Sequence, residues 1–411
     1  MPATRVSGSE TSPHSALRPE LQPSPRPLGF ASTQASVLLD LVRGLAAILV
    51  LLEHWRNLFF LDYPQIVAHQ IPAHRILFAI PYLLASGGHQ AVVVFFILSG
   101  YLISGSIFRT LRLDAWSWRD YLLHRVVRLW IVLIPGLIIA AACDFLGLHL
   151  LRPSAVALYA GLSGDHVVPS VRASFHLSTW LGNLFFLQQT FVPPFGSDGP
   201  LWSIANEFWY YLLFPLGLLA LLRRTRLWRR LACIALVAAI ALTIAPVILV
   251  QFPIWLMGTA LAVIPSPPLA LSPWPWLRTA AAVVYVAATL AFERLRTSHT
   301  VVADMLFGLL TAGFLYLLLS ARKRAREQSL GTRLSRSLAR FSYTLYVMHL
   351  PLLVLIAALS LGKARWIPDP WHVLIASTFL ALTLVCAYTL AFFTEFRTDR
   401  LREWIERRLP A

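Results

Sequence analysis

Charge is what this chain has least of. Only 13% of its 411 residues are Asp, Glu, Lys or Arg, against about 25% in an ordinary globular chain. Hydrophobic residues make up 57%, and the mean hydropathy is +0.66. That balance excludes a soluble domain and fits a polytopic α-helical membrane protein. Cysteine is scarce too: Cys143, Cys233 and Cys386 lie far apart inside apolar runs, so neither a disulfide framework nor a cysteine metal site is expected. The net charge of +16 comes without a glycine-rich phosphate loop or zinc-finger spacing. Its arginines sit in short clusters between apolar runs, where they orient helices, so no nucleic-acid partner is implied. The N-terminus has no apolar core; residues 1–35, rich in Pro and Ser, read as a disordered cytoplasmic tail and not as a signal peptide. No appended soluble domain and no internal repeat is evident.

What is present is a series of ten apolar segments, roughly 37–59, 84–108, 127–148, 204–222, 229–250, 252–268, 274–294, 300–320, 340–361 and 371–395. A span takes about 20 mostly apolar residues, so the expected fold is an all-α transmembrane bundle of about ten spans. Ten spans put both termini on one side. With that side cytoplasmic, 26 of the 35 Lys and Arg fall in inside segments and 8 outside, Arg43 standing within the first span. The positive-inside rule then gives cytoplasmic N- and C-termini in a multi-pass protein of the cell membrane. The plan is a tail (1–35), a membrane domain (36–395) and a basic cytoplasmic tail (396–411). The longest extracytoplasmic connection, about 149–203, contains FHLSTWLGNLFFLQQTF (175–191), which suits a re-entrant or interfacial segment.

Ionisable residues inside a bilayer are costly and usually face a bundle interior or a cavity. Arg43 and His54, eleven residues apart in the first span, share a face and stand about 16 Å apart along the helix axis. That face offers a fixed cation near the cytoplasm and a titratable base further out. Ser99 and Gly100, within VVVFFILSGYLISGS (92–106), begin a small-residue stripe suited to close approach of a backbone or a slender ligand. Arg125 and Arg128, three residues apart, serve as membrane anchors or as a phosphate clamp. In SDGPLWSIANEFWYYLLFPL (197–216), Pro200 and Ser203 suit a helix entry, with Ser203 as N-cap. Glu207 follows one turn into the membrane, among Trp202, Trp209, Tyr210 and Tyr211. At a depth similar to that of His54, Glu207 is the expected partner that would orient the imidazole as a base. In the ninth span Ser342, Tyr346 and His349 share a face beside Tyr343.

Taken in order, Arg43-Gly44 with His54, FFILSGY (95–101), RVVR (125–128), WSIANE (202–207) with Tyr211, and SYTLYVMH (342–349) resemble the motifs of the acyltransferase 3 family of integral membrane acyltransferases. The resemblance covers about residues 36–395. It implies transfer of an acyl group, commonly acetyl, from acyl-CoA to a hydroxyl, often on a carbohydrate and in some members on a small metabolite. It implies essential roles for Arg43 and His54, carries the arginine pair over to Arg125 and Arg128, the motif acid to Glu207 and the motif histidine to His349. Three departures stand out: the first proline after the arginine pair is Pro135, Asn206 replaces an aliphatic residue, and Glu53 directly precedes His54.

On this reading the CoA phosphates meet Arg43, Arg125 and Arg128, the pantetheine arm passes Ser99 and Gly100, and His54 acts as general base. Tyr346, His349 and Ser342 are candidate oxyanion donors, Trp202, Ser203, Tyr211 and Tyr343 complete the pocket, and no metal is needed. The alternative from another class is a transporter of a lipid-linked sugar or small metabolite. It should show internal repeats or paired broken helices.

Overall fold

A computed structural model describes residues 33–69, 75–149, 158–159, 170–265, 275–295, 301–321, 323–361 and 364–408. The expected disordered tail lies almost wholly outside the described residues, as does part of the long connection after residue 149. Among the described residues the fold is all-helical, with only isolated bridges such as Thr33 to Arg324 and Phe60 to Trp366.

Each of the ten apolar segments is a helix: α1 (Gln34–Phe59), α2 (Gly88–Arg112), α3 (Trp118–His149), α4 (Leu201–Leu221), α5 (Leu227–Thr243), α6 (Pro246–Val263), α7 (Pro275–Leu295), α8 (Val301–Leu318), α9 (Ser342–Ser360) and α10 (Pro370–Phe393). Among the described residues eight helices are long and apolar enough to cross a membrane, which makes this a multi-pass membrane protein. The two below that measure are α5, with 17 residues, and α7, whose apolar part is Trp276–Phe292.

Contacts fix the helix directions. Along α2 and α6, Ser99 meets Trp255, and a Cβ on Gly105 would face Ala262, so the two run parallel. Trp202 on Phe96 and Phe214 on Phe108 align α4 with α2. His89 with Asp304, and Met257 beside Gly308, align α8 with α2 and α6. The opposite sense belongs to α1, α3 and α9, in which His54 meets His349, Tyr343 meets Leu129 and Val347 meets Gly136.

The tightest packing is between α2 and α6. A Cβ on Gly100 would lie 2.0 Å from the Trp255 carbonyl oxygen, and one on Gly258 would lie 2.0 Å from that of Ile97. Gly100 is therefore a helix-packing residue, not part of a passage for a ligand arm. Only backbone fits in that space, as small-residue membrane interfaces require.

Between α3 and α4 the chain dips into the bundle as the short helix Leu177–Leu184 and a turn in which Phe186 and Gln189 take positive φ of 60° and 68°. Irregular backbone at membrane depth must find its hydrogen bonds within the protein. The indole N–H groups of Trp130 and Trp209 donate to the carbonyls of Leu184 and Phe186 at 2.9 and 3.1 Å. Gln188 and Gln189 donate to the carbonyls of Leu201 and Trp202. Asn206 accepts from Gln189 at 2.7 Å and donates to Gln251 at 2.7 Å, which explains an amide at this position. The dipping segment leaves α4 starting well below the end of its neighbours: Trp202 is level with Phe96, eight residues into α2.

Candidate functional site

A cavity of about 140 Å³ lies among α1, α2, α3, α4 and α9. Ten of the residues singled out in the sequence line it: Arg43, Ser99, Arg125, Arg128, Ser203, Glu207, Tyr211, Ser342, Tyr343 and Tyr346. The helical spacing explains the arginine pair, since residues three apart face the same way. Arg128 stands about 15 Å into α3 by helical rise and is nonetheless exposed, because the cavity reaches it.

The polar atoms form a connected set. Trp255 donates its indole N–H to Ser99 Oγ at 3.2 Å, Ser99 donates to Glu207 Oε1 at 2.7 Å, and the Tyr211 hydroxyl donates to the same oxygen. The guanidinium of Arg125 lies 5.6 Å from the Tyr121 ring centroid and 6.0 Å from that of Tyr211. Arg43 pairs with Asp40 at 3.1 Å. Among the described residues neither Arg125 nor Arg128 belongs to an ion pair, and the buried Nε atoms of Arg43 and Arg125 have no partner. Three guanidiniums against one carboxylate thus line the cavity, with N–H donors left over.

About 10 Å further along α9, past Tyr346, lies the histidine pair. His349 Nε2 is 3.0 Å from His54 Nδ1. The tautomers follow from the remaining partners. His349 Nδ1 faces two carbonyl oxygens, of Leu345 at 3.1 Å and Tyr346 at 2.8 Å, which can only accept. It therefore carries the proton, and the Nε2 of neutral His349 is an acceptor. His54 Nδ1 must then be the donor to His349, with the Val50 carbonyl also 3.0 Å away. The proton on Nδ1 leaves His54 Nε2 as a bare lone pair, and it has no hydrogen-bond partner among the described residues. Between the two layers the hydroxyls of Tyr346 and Ser203 share a hydrogen bond of 2.6 Å, and whichever of them accepts it donates its own proton to the Pro200 carbonyl, 3.1 Å from Tyr346 and 3.2 Å from Ser203.

Three expectations change. Glu207 does not pair with His54; its partners are Ser99 and Tyr211, and His349 occupies the expected place beside His54. The sunken start of α4 puts Glu207 in the arginine layer instead of the histidine layer. Ser203 is not the N-cap of α4, because the helix begins at Leu201 and the Ser203 hydroxyl lies within it. Trp202 does not line the cavity but packs on Phe96 and His89. Among the departures, Pro135 lies inside α3, and Glu53 accepts from the Gly88 N–H at the start of α2.

One residue escaped the sequence reading. Glu395, just past α10, accepts from the backbone N–H and hydroxyl of Thr344 at 3.0 and 2.9 Å. Its carboxylate thereby caps the first turn of α9, where a negative charge is favoured, and it acts electrostatically on Arg43 and Arg128. An acid at the end of the last span was its only signal.

Comparison with known proteins adds to this geometry. The acyltransferase 3 family, described as an acyltransferase domain, matches residues 37–391. A Bacillus subtilis (strain 168) protein named "Putative peptidoglycan O-acetyltransferase YrhL" is 26% identical over 172 residues, 39% of this chain and 24% of that protein. A Haemophilus influenzae protein, named only as uncharacterized, is 26% identical over 136 residues, 32% of this chain and 50% of its own length. The chain thus spans a quarter to a half of the curated relatives it matches. No solved structure matches it.

Proposed function

The chain belongs to the acyltransferase 3 family, and from that premise we propose that it moves an acyl group, acetyl first among candidates, from cytoplasmic acyl-CoA to a hydroxyl of a carbohydrate or glycosylated acceptor. The observation that carries the reading is the free Nε2 of His54, fixed by His349, about 10 Å along α9 from a layer of three arginines with unused donors. The end of the bundle at which α1 begins is assigned to the cytoplasm, where the arginine clusters collect. Helix directions favour ten crossings. What supports this is that α4 and α6 point the same way, as do α6 and α8, so that α5 and α7 would each return between them.

Acyl-CoA suits the arginine layer in charge: Arg43, Arg125 and Arg128 would bind its phosphates, two of them through the unpartnered Nε–H groups. A cavity of about 140 Å³ holds only part of so long a molecule, so the nucleotide stays on the cytoplasmic side. The acceptor hydroxyl gives its proton to His54 Nε2 as its oxygen attacks the thioester carbonyl. The oxygen–carbon bond forms, the carbon–sulfur bond breaks, and the imidazolium returns the proton to the departing CoA thiolate. His349 accepts from His54 Nδ1–H throughout, and the Tyr346 and Ser203 hydroxyls stand between the layers as donors for the carbonyl oxygen.

The test is CoA release from acetyl-CoA by detergent-purified protein, wild type beside His54→Ala. Release that depends on His54 supports the reading. A folded wild-type protein that neither binds nor turns over short acyl-CoAs would overturn the donor assignment.

A further inference from the structure

The face of α1 turned away from the histidines borders a second cavity, of about 730 Å³, walled by α1, α2, α7, α8 and the stretch from Ala325 to Thr332. Most of its wall is apolar, with Leu38, Val42 and Leu45 of α1 lining it together with Val286 of α7 and Phe314 of α8. The charge gathers at one end. Arg278, from the first turn of α7, and Arg326, just before the amphipathic helix Leu330–Arg340, both line it where α1 begins, and among the described residues no Asp or Glu lines it.

Its length decides what fits. Along α1 the wall runs from Gln34 to Leu49, about 22 Å at 1.5 Å per residue. A bilayer with its headgroups is about 40–45 Å thick, so one leaflet takes about half of that. An apolar trough one leaflet deep, with two guanidiniums at its headgroup end, matches the shape and charge of a phospholipid. Basic pockets between membrane helices on the cytoplasmic side bind anionic headgroups.

We propose that this cavity binds one anionic phospholipid, its phosphate held by Arg278 and Arg326 and its chains lying between α1 and α7. The lipid belongs to the leaflet at the Gln34 end, the cytoplasmic one in the orientation argued above. The site is separate from the acyltransfer site, since α1 and α2 stand between the two cavities.

Native mass spectrometry of the full-length protein in mild detergent, titrated with phosphatidylglycerol and separately with phosphatidylcholine, tests this. Wild type is expected to bind one phosphatidylglycerol in preference to phosphatidylcholine. The double variant Arg278→Gln/Arg326→Gln should bind it about thirty-fold more weakly, while the surface control Arg223→Gln/Arg224→Gln should match wild type. Ala282→Trp, which fills the trough and leaves both arginines, should lose the bound lipid as well. Equal binding of the two lipids by wild type, or equal phosphatidylglycerol binding by the double variant and the control, overturns the proposal. Should the double variant fail to fold, the wild-type lipid preference and Ala282→Trp still decide. None of these readouts depends on acyl transfer, so the proposal stands or falls apart from it.

Discussion

The two polar layers of this bundle, about 10 Å apart along α9, treat their hydrogen-bonding groups in opposite ways. In the histidine layer every ring nitrogen but one is tied: His349 Nδ1 to two carbonyls, its Nε2 to His54, and His54 Nδ1 to His349 and Val50. The single loose atom, His54 Nε2, is the one the proposed mechanism uses as the base. In the arginine layer the carboxylate is tied and two of the three cations are loose, Arg43 alone being paired, with Asp40. Glu207 is held by Ser99 and Tyr211, while Arg125 and Arg128 have no ion-pair partner among the described residues. The first layer is organised by its own hydrogen bonds, and the second keeps N–H donors that an anion would satisfy under the proposed function.

That contrast can be broken most directly at His54. His54→Ala should lower acyl-CoA turnover by about 10²- to 10⁴-fold, the usual contribution of a general base, with a circular dichroism spectrum like that of wild type. Equal turnover in both proteins would remove the base from the histidine layer.

The arginine layer predicts a different signature. Arg128→Lys keeps the charge but loses the planar fork. It should raise KM for acetyl-CoA about 10- to 100-fold, the weight of one or two hydrogen bonds to a charged group, and change kcat far less. An effect confined to kcat would move Arg128 from donor binding to chemistry.

His349 sharpens the comparison as a positioning residue. His349→Ala should reduce kcat about tenfold at unchanged KM. His349→Gln should recover part of the loss, because its amide oxygen can accept from His54 Nδ1–H. If both variants behave alike, the hydrogen bond between the rings is not what matters.

Two neighbours on α2 separate packing from chemistry. Gly100→Ala forces a methyl against the Trp255 carbonyl and should cost about 1–3 kcal/mol of stability, seen as a lower Tm. Ser99→Ala, which removes a donor to Glu207, should affect turnover more than Tm. The reverse order would exchange their roles.

The smallest effect concerns Asp198 in the loop before α4, fully buried and with both carboxyl oxygens unpartnered. Burial, and secondarily the nearby Asp144, push its pKa well above the usual carboxylate range. The folded state therefore holds a proton that the unfolded state releases above about pH 4, and stability falls as pH rises toward the folded pKa. Asp198→Asn should flatten that decline in a Tm-versus-pH series; an unchanged slope would show that Asp198 is not its source.

Much of this was legible in the sequence because a bilayer punishes polar atoms. Arg43, Glu207 and the Ser342–His349 face stand out for that reason, Ser99 as part of a small-residue stripe, and ten of the residues singled out line one cavity. Partner choice was a different matter. Pairing Glu207 with His54 assumed that all helices begin at one level, whereas the dipping segment 177–192 lowers the start of α4. Glu395 was missed because its cap on Thr344 joins residues 51 apart in the chain.

The sequence by itself determined an all-helical membrane bundle, the ten apolar segments, and the set of polar residues that must face inward. These follow from local hydropathy and from the cost of charge in lipid, which act residue by residue. Only the tertiary structure decided which polar residues share a layer, which imidazole nitrogen is free, and that Gly100 packs where Ser99 opens onto a cavity. Those depend on relative helix depth and rotation, set by packing between segments distant in the chain.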